Sequence, residues 1–95
     1  MYTDKLKKCI EIGEERQKQY GDVKTGFYSA SSLAEQMFGI LITPEEIALV
    51  MVALKVSRNK HAKKKDNTFD MINYLAIADE LSDEQNGTKG HKRLS

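Results

Sequence analysis

The chain has 95 residues, 40% of them hydrophobic and 31% charged, with a formal net charge of +1. That length holds one domain with a modest core, and the near-neutral balance argues against a general nucleic-acid coat. The longest apolar run, Ile47 to Leu54, falls far short of the roughly 20 residues a membrane span requires, so no membrane partner is expected.

The opening Met1-Tyr2-Thr3-Asp4-Lys5 has no apolar segment of the kind that marks a signal peptide. The single cysteine, Cys9, has no intramolecular partner, which points to a reducing, intracellular setting. Absence of Trp and the presence of four Met suggest a core of aliphatic side chains and adaptable thioethers.

Only one Pro and six Gly punctuate the chain, so the helices should be long. A first helix is expected from an N-cap at Thr3 to about Gln19. Asp4 lies in its first turn and Leu6, Cys9, Ile10 and Gly13 make its apolar stripe. Gly21 suits a left-handed position after its C-terminus. The second helix should cover Phe27 to Phe38, with Ala30, Leu33, Ala34, Met37 and Phe38 on its inner face and Gly39 as its stop. Gly39-Ile40-Leu41-Ile42 is the longest β-like stretch.

Thr43-Pro44-Glu45-Glu46 carries a capping Thr, a Pro at the first helical position and a Glu three residues after the cap. A third helix must start there and run to about Asn59. Its Ile47–Leu54 segment is apolar all round, so both of its faces need cover. The fourth helix, from about Asn67 to Leu81, carries two apolar stripes: Phe69, Ile72 and Ala76, and Met71, Leu75 and Ala78. Surplus apolar surface on two helices predicts a homo-oligomer, a dimer or larger. The expected architecture is therefore all-α, a compact oligomeric bundle of about four helices spanning 1–81, followed by a disordered tail over 82–95.

Four constellations bear on function. Glu11, Glu14 and Glu15 form an acidic cluster on the first helix; Glu11 and Glu14 share a face, as a Mg²⁺ site would need, but a solvated surface is the simpler reading. Glu45 and Glu46, with Asp66, Asn67 and Asp70, would bring oxygen donors from two helices together, as a hard divalent cation requires. Helix capping accounts for most of these residues, and Asp70 least well. Lys55, Arg58, Lys60, His61, Lys63, Lys64 and Lys65 form a basic stretch at the end of the third helix, suited to phosphate or to a solvated loop. Arg16 and Tyr20 share a helix face, where Tyr could stack on a base while Arg takes phosphate; the plainer reading makes Tyr20 a core residue. No Walker loop, dinucleotide glycine motif or zinc spacing is present, and His61 and His91 have no triad partner.

Taken in order, Arg16-x-x-x-Tyr20-Gly21-Asp22, Ile42-Thr43-Pro44-Glu45-x-x-Ala48, Lys55-x-x-Arg58 and Asp66-Asn67-x-x-Asp70-x-x-x-Tyr74 resemble a family of small phage and prophage proteins. That family in turn resembles the all-α NTP pyrophosphohydrolases of the MazG type. The resemblance implies a helical oligomer in the host cytoplasm that uses Mg²⁺ to cut nucleoside triphosphates to monophosphate and pyrophosphate. The MazG metal signature E-x-x-E…E-x-x-D falls on Glu46, Leu49, Asn67 and Asp70, so two of its four carboxylates are replaced. The expected metal ligands are thus Glu46, Asp66 and Asp70, and the expected nucleotide or phosphate ligands are Arg16, Tyr20, Lys55, Arg58 and Lys63. Two other functions fit the same residues: a non-catalytic nucleotide-sequestering protein, or a phage protein that docks a host protein or DNA.

Overall fold

In the computed structural model, residues 1–85 are described, apart from the side chain of residue 65. They form four α-helices and, among the described residues, no strand: α1 Tyr2–Tyr20, α2 Val23–Phe38, α3 Pro44–His61 and α4 Lys65–Gln85. None of these helices is long and apolar enough to cross a membrane.

The turns explain the boundaries. Thr3 lies inside α1, whose N-cap is Met1, so the helix begins two residues earlier than an N-cap at Thr3 would require. Gly21 adopts φ +82°, open to glycine at little cost, and lets the chain reverse at once. Asp22 then caps α2, its Oδ1 accepting from the Lys24 amide at 3.1 Å, so α2 starts four residues before Phe27. Gly39 ends α2 in the left-handed conformation. The β-like stretch after it is a loop, tied down where the Ser31 hydroxyl donates to the Ile42 carbonyl. The reciprocal cap at the start of α3 forms as its residues predict: Thr43 Oγ1 accepts from the Glu46 amide at 3.2 Å, and Glu46 Oε1 accepts from the Thr43 amide at 2.9 Å.

The long α3–α4 hairpin is the spine, with α2 packed on α3 and α1 on α4. The core is small: Phe27, Ala48, Ala78 and Leu81 are buried together, with Ile47, Met51, Tyr74 and Ile77 around them. Phe27 and Tyr74 meet edge to face, ring centroids 6.1 Å apart. The inner faces differ from the expected stripes. On α2 the buried line is Phe27, Ser31 and Ala34, whereas Leu33, Met37 and Phe38 are exposed. On α4 it is Asn67, Asp70, Ala78, Leu81 and Ser82. That line escapes a purely apolar reading because its first half is polar. α4 also runs past Leu81 to Gln85 with Ser82 buried, so the expected tail boundary lies inside this helix. The rest of that tail, 86–95, lies outside the described residues.

A surface cluster fastens α2 to the far end of α4. Lys24 Nζ lies 2.6 Å from Glu80 Oε2 and 2.7 Å from Glu84 Oε2, and the Tyr28 hydroxyl donates to Glu84 Oε1 at 2.9 Å. Hydrogen bonds from Lys24 and Tyr28 hold the Glu84 carboxyl below its ordinary range. Bonding to Glu80 and Glu84 raises Lys24, and bonding to Glu84 raises Tyr28. A depressed carboxyl contributes stability that is present above its unfolded value and lost as pH falls through the folded one. The raised Lys and Tyr contribute below their unfolded values and lose it as pH rises. At neutral pH all three contributions are therefore present, and each is screened by solvent. Glu84→Gln should lower the thermal midpoint at pH 7 and leave it nearly unchanged below the ordinary Glu range. Thermal melts of both proteins across pH would show this, and an offset that persisted in acid would contradict it.

Candidate functional site

The half of α4 that faces α1 and α3 carries carboxylate and amide groups where a helix normally carries apolar ones. Asp70 is the centre of it. Its side chain is 5% exposed, and each oxygen has its own cation: Arg16 Nη1 from α1 reaches Oδ1 at 2.5 Å, and Lys55 Nζ from α3 reaches Oδ2 at 2.8 Å. Lys55 is nearly buried at 13%, whereas Arg16 is 46% exposed. A buried carboxylate is tolerated only when paired and hydrogen-bonded, and here both oxygens are charge-assisted. One side chain thereby joins three helices.

Flanking amides complete the joint. Asn73 Nδ2 donates to the Cys9 carbonyl of α1 and to the Phe69 carbonyl of its own helix, both at 3.1 Å. Gly13 lets α1 come that close, since a Cβ there would meet Asn73 Oδ1 at 2.7 Å. Asn67 Nδ2 donates to Asn59 Oδ1 at 3.1 Å across the α3–α4 turn. In the sequence, Gly13 reads as part of an apolar stripe, and Asn73 carries no motif. A glycine in mid-helix was the available signal of close approach.

Above this joint, between α1 and α4, opens a cleft of about 690 Å³, lined by Ile10, Glu14, Arg16, Tyr20, Asn73 and Tyr74 among others. That volume lies within the usual range for small-molecule sites. Tyr20, placed at the rim of the cleft by the end of α1, is 80% exposed and so is no core residue.

The structure thus brings together Arg16, Lys55 and Asp70, with Tyr20 beside them on the cleft. It does not bring together the three carboxylates expected to hold metal. Glu46 bonds back to its own N-cap, and Asp66 is exposed in the first turn of α4. Asp70 is held by its two cations. Among the described residues no group of three or more His, Cys, Asp or Glu side chains is placed to hold a metal ion. Leu49, at a signature position, is 42% exposed. Arg58 and Lys63 are exposed at the end of α3 and in the turn after it, and neither lines the cleft.

Removing the Asp70 charge leaves Lys55 buried beside an unpaired Arg16. Breaking a buried pair from one side costs about 3–5 kcal/mol, so Asp70→Asn should lose about 3 kcal/mol in urea denaturation. A loss under about 1 kcal/mol, the scale of an exposed pair, would show that the pairing is not a buried one.

Searches of curated proteins and of solved structures find no match to this chain. A family model does match, over residues 4–82, which takes in all of the joint and the cleft. The chain belongs to the family described as a domain of unknown function, DUF6378.

Proposed function

We propose that this protein binds a nucleotide in the α1–α4 cleft and acts as a non-catalytic binding module. The observation that carries this reading is Arg16, held at the cleft by Asp70 while nearly half exposed. A guanidinium has five N–H donors in a planar fork, and Asp70 uses only part of that set. Tyr20 and Tyr74 line the same cleft and supply aromatic rings against which a base can pack. Lys55 supports the site indirectly, by sharing Asp70.

Mg²⁺-dependent pyrophosphohydrolysis fits this donor set poorly. Asp70 would have to release a cation before it could take a metal, and Glu46 and Asp66 are engaged or placed elsewhere. Arg58 and Lys63 leave room for a different ligand on the basic α3–α4 turn, such as DNA or an acidic host protein. In calorimetry the wild-type chain should bind at least one nucleotide, and Arg16→Ala should weaken binding about tenfold, the scale of a lost charge-assisted bond. No pyrophosphate should be released from any triphosphate with Mg²⁺. Turnover would restore the enzyme reading, and absence of any nucleotide binding would abandon the cleft as a nucleotide site.

We further propose a homo-oligomer. Leu49, Val50, Leu54 and Val56 are exposed along α3, and Met37, Phe38, Ile40 and Leu41 at the end of α2 and in the loop beyond. Eight apolar side chains at roughly half exposure present on the order of 800 Å², about one partner's share of a standard interface. Sedimentation at micromolar concentration should give a dimer or larger species, and Val50→Glu should shift it toward monomer. A wild-type monomer would contradict the proposal.

A further inference from the structure

The charge around the cleft specifies its ligand more narrowly than the nucleotide reading on which this inference rests. We infer that the site takes a ligand with a flat apolar body and at most one phosphate, bound without a metal ion, and not a triphosphate.

Anion binding draws on positive charge that no neighbour has already neutralised. Among the lining residues Arg16 is the cation, and Glu14 and Asp70 are carboxylates. Lys55 reaches Asp70 from α3 and does not line the cleft. These four groups cancel, so the wall is close to neutral. A single phosphate can still be held, because Arg16 is half exposed and its fork offers donors beyond the one spent on Asp70. Each further phosphate would meet no second cation among the described lining residues and would approach Glu14. The usual remedy, a divalent cation bridging carboxylates to the phosphate chain, needs oxygen donors converging on one point. Both Asp70 oxygens are occupied, and among the described residues no such cluster exists.

The rest of the lining suits the uncharged part of such a ligand. Ile10, Val23 and Ile77 give apolar contact beside Tyr20 and Tyr74. The two other basic residues read from the sequence as phosphate ligands, Arg58 and Lys63, lie outside the cleft.

Calorimetry on the full chain with each nucleoside, its 5′-monophosphate and its 5′-triphosphate, with and without Mg²⁺, tests this. For the base that binds best, the monophosphate should bind at least as tightly as the triphosphate, with Mg²⁺ changing neither. Glu14→Gln, which removes one negative charge from the wall, should tighten triphosphate binding about threefold or more and affect the nucleoside little. Tighter triphosphate than monophosphate binding, or binding that requires Mg²⁺, would overturn the inference while leaving the nucleotide site in place. Failure of every nucleoside and nucleotide to bind would overturn both.

Discussion

The double pairing of Asp70 is the constraint on which the rest of the molecule depends. Arg16 comes from α1, Asp70 from α4 and Lys55 from α3, so one buried carboxylate fixes the relative position of three helices. Apolar packing alone would position α1 weakly. Cys9 is its one buried residue, while Leu6 and Ile10 remain largely exposed. The helix is instead held by polar contacts, Arg16 on Asp70 and Asn73 on the Cys9 carbonyl. Such contacts are directional, so they set the register of α1 along α4 as well as its distance. Gly13 leaves room for the Asn73 side chain, whose Oδ1 a Cβ there would meet at 2.7 Å.

The same joint shapes the site. A carboxylate with both oxygens committed to cations is a positioning group, and it places Arg16 on a cleft that it shares with apolar and aromatic side chains and with Glu14. The MazG resemblance makes Asp70 a metal ligand. In this chain the neighbours that such a role requires are Leu49 and Asn67, and Asn67 instead joins Asn59 to close the α3–α4 turn. With Leu49 and Asn67 at those positions, Asp70 is paired with two cations instead. A resemblance in short motifs leaves the chemistry open, because chemistry resides in the donor set.

The helices were legible wherever local chemistry governs. Thr43-Pro44-x-Glu46 forms the reciprocal cap its residues specify, and Gly39 terminates α2 as expected. Inner faces were less legible. The line on α4 passes through Asn67 and Asp70, and a search for apolar periodicity skips both, since polar residues are buried only when partners arrive from elsewhere in the chain. Those partners, Asn59, Arg16 and Lys55, lie 8 to 54 residues away in sequence. In the sequence, capping explains Asp70 least well, and Arg16 and Lys55 each read as phosphate ligands. That the three form one cluster is a tertiary fact. Leu33 and Met37 err the other way: helical spacing puts them on a face, yet that face is exposed in the single chain.

If Asp70 is what holds α1, its loss should act locally before it acts globally. Hydrogen exchange of wild-type and Asp70→Asn proteins, under conditions where both stay folded, resolves this helix by helix. The account predicts the largest loss of protection in α1 amides around Arg16, beyond the loss that the α3–α4 amides near Ala48 and Leu81 share through the lowered global stability. Unchanged protection of α1, or an equal loss of protection in all four helices, would contradict it.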